Sequence, residues 1–260
     1  MKTGLSTYSL QDTYFLIQLD SLLQNGIRPD FILLHEVGLN HRPGKYLRFL
    51  KKTIRQQRIH SLSHLLSRKQ TQPDGGHLKP DEAAAQKREA FLSEAIIYKT
   101  GPVNGVAAIS LIRSLSPAVI VSNSGILKAE VLASPDIIFL NVHASRLPEY
   151  RGMNNIEWAL WDQKEIWVSI HRISREIDEG DILWQEKIST DNVSLPDIEA
   201  YRSYVFRQSH LLTGKILKKY LNAEIAFVPQ LHKGEPLLQY YTMHPLLKAR
   251  LEARLQKGNS

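Results

Sequence analysis

The amino-acid sequence predicts an α/β fold, a mostly parallel β-sheet covered by helices on both faces, with a small C-terminal extension. Two observations carry this. Short runs that are apolar throughout, Phe31-Ile32-Leu33-Leu34 and Ile137-Ile138-Phe139-Leu140 above all, read as strands buried on both faces. Between such runs lie stretches with apolar residues at helical spacing, the strand-helix alternation of a parallel sheet. In sheets of this kind ligands collect at the carboxyl ends of strands.

Taken in order, Asp12 is a good N-cap and opens an amphipathic helix through Phe15, Leu16, Leu19, Leu22 and Leu23 to Gly26. Phe31 to Leu34 follows as a strand, then a loop around Gly38 to Gly44. Leu47, Leu50, Ile54, Leu62 and Leu66 among many cations predict one or two basic amphipathic helices between Lys45 and Arg68, and Gln70 to Pro80 is a loop. Strands at Ala95 to Tyr98, Pro117 to Val121 and Ile137 to Leu140 alternate with helices at Val106 to Leu115 and Ile126 to Leu132. Val168 to Ile173 and Asp181 to Ile188 read as two more strands, joined by the acidic turn Glu176 to Gly180. Pro196 to Leu221 is helical, Ala226 to Gln239 is strand and loop, and Pro245 opens a last helix through Leu255. The expected division is a main domain over 1–200 and an extension over 201–260.

The 260 residues, 43% hydrophobic and 23% charged, have the balance of an ordinary globular chain and enough length for a substantial core. With no cysteine, thiolate metal sites and a cysteine nucleophile are excluded, which agrees with a cytoplasmic location. No metal is expected. No stretch approaches the roughly 18 apolar residues that span a bilayer, so no membrane partner is expected. The net charge of +7 favours anions, and much of the excess lies between Arg42 and Arg88. That segment leaves nucleic-acid contact through 45–88 open but disfavoured, since charged helices are usually just solvated.

The densest polar constellation runs from Asn141 to Asn155. Asn141 and His143 are two apart at the end of a strand, so their side chains share one side. Amide N–H groups can stabilise a developing oxyanion, an effect of about 3 kcal/mol where one such donor is removed. An imidazole transfers protons near neutral pH. Acyl transfer to an amine needs both. A second constellation, Arg175 to Ile182, offers Asp178 as a carboxylate to orient the imidazole. His171, alternating within a strand, reads as a packed or wall histidine. Trp158, Trp161 and Trp167 read as core.

These segments resemble the formyltetrahydrofolate-dependent formyltransferases, which include glycinamide ribonucleotide, methionyl-tRNA and nucleotide-sugar formyltransferases. That family carries Asn-x-His-x-Ser-x-Leu-Pro-x-Tyr-Arg-Gly, present from Asn141 to Gly152, then a tryptophan and alanine matched by Trp158-Ala159. Its Asp-x-Gly-x-Ile element is matched from Asp178 to Ile182. The resemblance implies a Rossmann-like sheet, Asn141, His143 and Asp178 as catalytic trio, and 10-formyltetrahydrofolate as formyl donor. It places Ser124, Gly125, Ile126 and Leu127, with Ile177 to Gly180, beside the folate. Arg151, Gly152, Met153 and Asn154 are the candidate substrate-binding residues, Arg151 as a phosphate holder.

The implied acceptor is a primary amine of a small substrate, a nucleotide-linked amino sugar before a methionyl-tRNA, because the tail from Asn222 looks short for a tRNA-binding barrel. A homodimer is compatible with the reading. Three departures from the family pattern matter, one of them the segment Arg42 to Arg88, which is longer than in the smallest members. Met1 to Leu10 has only Leu5 and Leu10 as strong aliphatics where the family opens with an apolar strand, so the first strand is expected to be missing or degraded. Asn155 stands where many members have proline. A formyltransferase-like protein that binds without catalysis is the alternative these departures raise.

Overall fold

The computed structural model describes residues 1–36, 82–191, 193, 197–231 and 238–258. The chain runs β1 (Thr3–Thr7), α1 (Thr13–Gln24), β2 (Phe31–His35), α2 (Glu82–Glu94), β3 (Ile97–Thr100), α3 (Val106–Leu115), β4 (Val119–Ser122), α4 (Ala129–Leu132) and β5 (Ile138–His143). It continues through β6 (Arg151–Gly152), α5 (Asn155–Trp161), β7 (Trp167–Arg172), β8 (Ile182–Lys187), α6 (Ile198–Leu221), β9 (Gln239–Tyr240) and α7 (Pro245–Gly258). The main sheet has the order β3-β2-β1-β4-β5-β7-β8. Its first five strands are parallel, and β7 and β8 close one edge antiparallel. The expected mostly parallel sheet with helices on both faces is present.

Alternation along the strands builds two cores. Leu5, Ile32, Val119, Val121 and Leu140 pack with Phe15, Leu19 and Leu22 of α1, Phe91 of α2, and Ile216 and Leu217 of α6. Phe31, Leu33, Ile120 and Phe139 project the other way, onto Ile112 of α3 and Val131 of α4. Each fully buried side chain of this size contributes about 1.5–3 kcal/mol. Asp12 caps α1 as expected, its Oδ1 accepting from the Phe15 amide at 2.8 Å. Gln18, Ser21 and Gly214 tie α1 to α6: Ser21 Oγ donates to Leu211 O at 2.5 Å and accepts from Gly214 N at 2.9 Å.

The first strand, expected to be missing or degraded, is intact and lies in the middle of the sheet. β1 pairs with both β2 and β4 and is buried at all five residues. One aliphatic, Leu5, suffices because the polar residues are paired. The Thr3 amide donates to Asp30 Oδ2 at 2.6 Å, and Ser6 Oγ meets His35 Nε2 at 3.0 Å and the Ser124 hydroxyl. At Gly4 the missing side chain makes room for the Phe31 ring.

The basic helices expected over 45–68, with the flanking loops at 38–44 and 70–80, lie outside the described residues. No apolar periodicity in the sequence announces α2. Its weak amphipathicity leaves only Ala84 and Phe91 buried, and Arg88 pairs with Asp20 of α1.

Candidate functional site

The longest apolar strand of the parallel set, β5, changes character within itself: Ile138, Phe139 and Leu140 are followed by Asn141, Val142 and His143. The strand ends three residues later than its apolar run because Asn141 and His143 still pair with β7, opposite His171 and Ser169. Both polar side chains face a cavity of about 500 Å³ beyond the carboxyl ends of β4 and β5. Ser122, Asn123, Gly125, Ile126 and Leu127 form one wall, Ile173 to Asp178 another, and Gly152 and Met153 the rim. This is where an open parallel sheet presents ligands.

Asp178 sits in the left-handed region at φ 57°, which aspartate tolerates better than most residues. Its Oδ2 accepts from the Gly152 amide at 2.8 Å and lies 3.7 Å from His143 Nδ1. Its Oδ1 lies 3.6 Å from His171 Nε2. One carboxylate thus stands between two imidazoles. His171 also meets Asn141 Nδ2 at 3.2 Å. Burial first, and then the neighbouring His143, push His171 below the ordinary histidine range, Asp178 opposing. His171 therefore stays neutral at pH 7. The sequence predicts a packed or wall histidine, and His171 is buried on the cavity wall; its contacts with Asn141 and Asp178 follow only from the antiparallel register of β7.

His143 is held on its other side as well. Its Nε2 lies 3.0 Å from the Tyr150 carbonyl and 3.0 Å from Asn155 Nδ2. With the proton on Nε2, the ring donates to Tyr150 O. With it on Nδ1, the ring faces Asp178 and Nε2 accepts from Asn155. Each neutral tautomer thus satisfies one of the two partners at Nε2.

The sequence-predicted site residues divide into groups. Asn141, His143, Asp178, Gly125, Ile126, Leu127, Ile177, Gly152 and Met153 line the cavity together. Ser124 is fully buried behind the wall, paired with Ser6. Gly180 is buried against the Arg172 carbonyl and accepts from Gln230 Nε2 at 2.7 Å. Arg151 is 4% exposed and donates twice to Ile177 O, at 3.0 and 2.7 Å, while pairing with Glu179 at 2.5 Å. Its guanidinium secures the acidic turn. Asn154, at φ 54°, faces a second cavity with Asn155. Among the described residues no cluster of three or more histidine or acidic side chains is placed to hold a metal ion.

The profile of the formyl transferase family ("Formyl transferase") matches residues 56–201, more than half of the chain. The chain belongs to the formyl transferase family. A methionyl-tRNA formyltransferase of Thermodesulfovibrio yellowstonii is 31% identical over 195 residues, 68% of this chain and 63% of the relative. One of Acidithiobacillus ferrooxidans is 33% identical over 123 residues, 45% of this chain and 39% of the relative. The chain thus spans about two fifths to two thirds of the length of these relatives.

Among solved structures, a sugar N-formyltransferase from a Shewanella species aligns with 98% of this chain and 87% of its own at 12% identity and TM-score 0.55. An N-formyltransferase from Helicobacter canadensis aligns with 98% and 80% at 15% identity and the same TM-score. These share the fold of this formyl transferase family member. No helix among its described residues is long and apolar enough to cross a membrane.

Proposed function

We propose that this chain transfers a formyl group from 10-formyltetrahydrofolate to a primary amine of a small acceptor, a nucleotide-linked amino sugar before a methionyl-tRNA. The observation that carries the reading is the convergence of Asn141, His143 and Asp178 on one cavity, with His143 as the wall shared by a second. The larger cavity suits a folate: Ile126, Leu127, Ile173 and Ile177 offer apolar flanks to a flat heterocycle, and the polar trio stands at one end. The folate supplies the activated formyl carbon.

The chain's own residues supply the rest. The acceptor nitrogen forms a bond to the formyl carbon, and the bond from that carbon to the donor nitrogen breaks. Asn141 Nδ2 and a His143 N–H stabilise the formyl oxygen as it gains negative charge, a contribution of about 3 kcal/mol per donor. Asp178 orients His143 and helps draw the proton from the attacking amine, which returns to the leaving nitrogen. His171, kept neutral by burial, adds no positive charge beside Asp178.

The test is turnover of 10-formyltetrahydrofolate to tetrahydrofolate with a panel of amino-sugar nucleotides and, separately, methionyl-tRNA. Turnover with an amino-sugar nucleotide, abolished by Asn141→Ala, supports the reading. The curated relatives and the net charge of +7 favour a tRNA acceptor as the second reading. Formylation of methionyl-tRNA alone, weakening steeply with salt, selects it.

A further inference from the structure

Behind His143 lies a second cavity, of about 270 Å³, lined by Val142, His143, Ala144, Asn155, Glu157 and Arg202, and meeting the first at His143, Gly152 and Met153. Its volume falls below the roughly 300–1,000 Å³ of a site for a whole drug-sized ligand, so it admits a fragment of monosaccharide size. The chemistry of its wall is unusual. Glu157 is fully buried, yet only one of its oxygens is used: Oε1 accepts from Asn154 Nδ2 at 2.7 Å and from Arg202 at 2.8 Å. Oε2 is buried with no hydrogen-bond partner among the described residues. Asn155, 8% exposed, gives both hydrogens of its amide to Gly152 O at 2.9 Å and to His143 Nε2, and its Oδ1 is likewise unpartnered.

A buried acceptor without a donor costs about 1–3 kcal/mol, and more when charged. Both belong to residues that line one small cavity, and Asn155 also touches the imidazole, so the wall beside His143 carries two acceptors in want of donors. The amide orientation of Asn155 is fixed by its neighbour, because reversing it would set Oδ1 against the Gly152 carbonyl. Among the described residues the cavity's lining offers no free cation: Arg202 is spent on Glu157 Oε1, and Lys248 stands 3.9 Å from the same oxygen. A phosphate or carboxylate would meet two lone pairs and no unpaired positive charge.

We infer that this second cavity seats the amine-bearing end of the acceptor and that Asn155 Oδ1 and Glu157 Oε2 receive hydroxyl donors flanking the amine. They thereby select a polyhydroxylated amine and reject an anionic one. The inference rests on the formyl-transfer reading and deepens it, naming the acceptor class by its donors. Any phosphate the acceptor carries lies outside this cavity. Asn155 acts here as both a wall and a positioning group for His143.

The test uses the full chain saturated with the stable analogue 5-formyltetrahydrofolate, whose binding is first measured by calorimetry. D-Glucosamine and cyclohexylamine, rings of one size with one amine that differ in their hydroxyls, are then titrated and followed by NMR shifts of the His143 ring and the Met153 methyl. Wild type is expected to bind glucosamine at least tenfold more tightly than cyclohexylamine. Glu157→Gln is expected to lose most of that preference while its affinity for the folate analogue stays within twofold.

Should Glu157→Gln fail to fold, Asn155→Ala removes the other lone pair and is expected to reduce the same ratio. Equal affinity for the two amines, an unchanged preference in the variants, or unmoved His143 and Met153 signals would overturn the inference. Failure of the folate analogue to bind would instead strike the formyl-transfer reading.

Discussion

Gly180→Ala is the sharpest structural perturbation available at the site, because it touches none of the reacting groups. A Cβ at Gly180 would approach the Arg172 carbonyl oxygen about 1.1 Å closer than the 3.0 Å floor that Cβ contacts respect, and that neighbour is backbone of β7. The turn must therefore withdraw from β7 by about 1 Å. Three hydrogen bonds span that gap or depend on it: Arg172 N to Asp181 O at 2.9 Å, Gln230 Nε2 to Gly180 O at 2.7 Å, and Gln230 Nε2 to Asp178 O at 2.9 Å. At about 1 kcal/mol for each bond, partial or full loss amounts to about 2–3 kcal/mol. Asp178 travels with the turn, so its contact with His143, already 3.7 Å, lengthens. Urea unfolding reports the stability and tetrahydrofolate release the turnover. A variant with its unfolding midpoint and turnover unchanged would refute the close packing of the turn and its part in placing Asp178.

Further outcomes follow from other groups. Asp178→Asn keeps a side chain at home at φ 57° and a partner for the Gly152 amide through its oxygen, so the fold should persist while turnover falls by roughly 10²–10⁴; turnover within threefold of wild type would dismiss the carboxylate's role. His35 is buried between Ser6 Oγ and Thr100 Oγ1, and burial lowers its pKa from 6.5 to about 4. The unfolded chain therefore takes up a proton that the folded chain refuses: stability is full above pH 6.5 and falls as pH drops toward 4. Between pH 7 and pH 5 the loss from this residue is about 2 kcal/mol, read as the difference in unfolding free energy between wild type and His35→Gln at the two pH values. If that variant loses as much as wild type, His35 is not the cause. Asp12→Ala should cost about 1 kcal/mol through its lost cap on α1, checked by thermal unfolding, with folate binding unchanged.

The sequence made the parallel core legible because its strands bury both faces and so are apolar at consecutive positions. Phe31 to Leu34 and Ile137 to Leu140 need no context to be read. β1 was illegible for the opposite reason: Thr3, Ser6 and Thr7 are polar, and what makes them admissible in the sheet centre is Asp30, His35 and Ser124, remote in sequence. The trio Asn141, His143 and Asp178 could be named from two motifs, yet His171 could not, since nothing local says that β7 runs antiparallel with His171 opposite Asn141. Arg151 illustrates the same limit. A motif arginine suggests an anion, and only the fold shows that its guanidinium is already engaged by Ile177 and Glu179.

These particulars also explain how the site keeps its shape. Asp178 lies on a connection between two antiparallel strands, and such a loop has no position of its own. It is fixed here from four directions: by the Gly152 amide of β6, by Arg151 from the same strand, by the backbone of β7 against Gly180, and by Gln230 from the segment after α6. β6 is in turn held by β9, through Gly152 and Tyr240. Residues beyond 221 therefore do more than cover the sheet. By carrying Gln230 and Tyr240 they help determine where the carboxylate stands relative to His143, so the end of the chain reaches the site through the side-chain amide of Gln230 and the backbone of Tyr240.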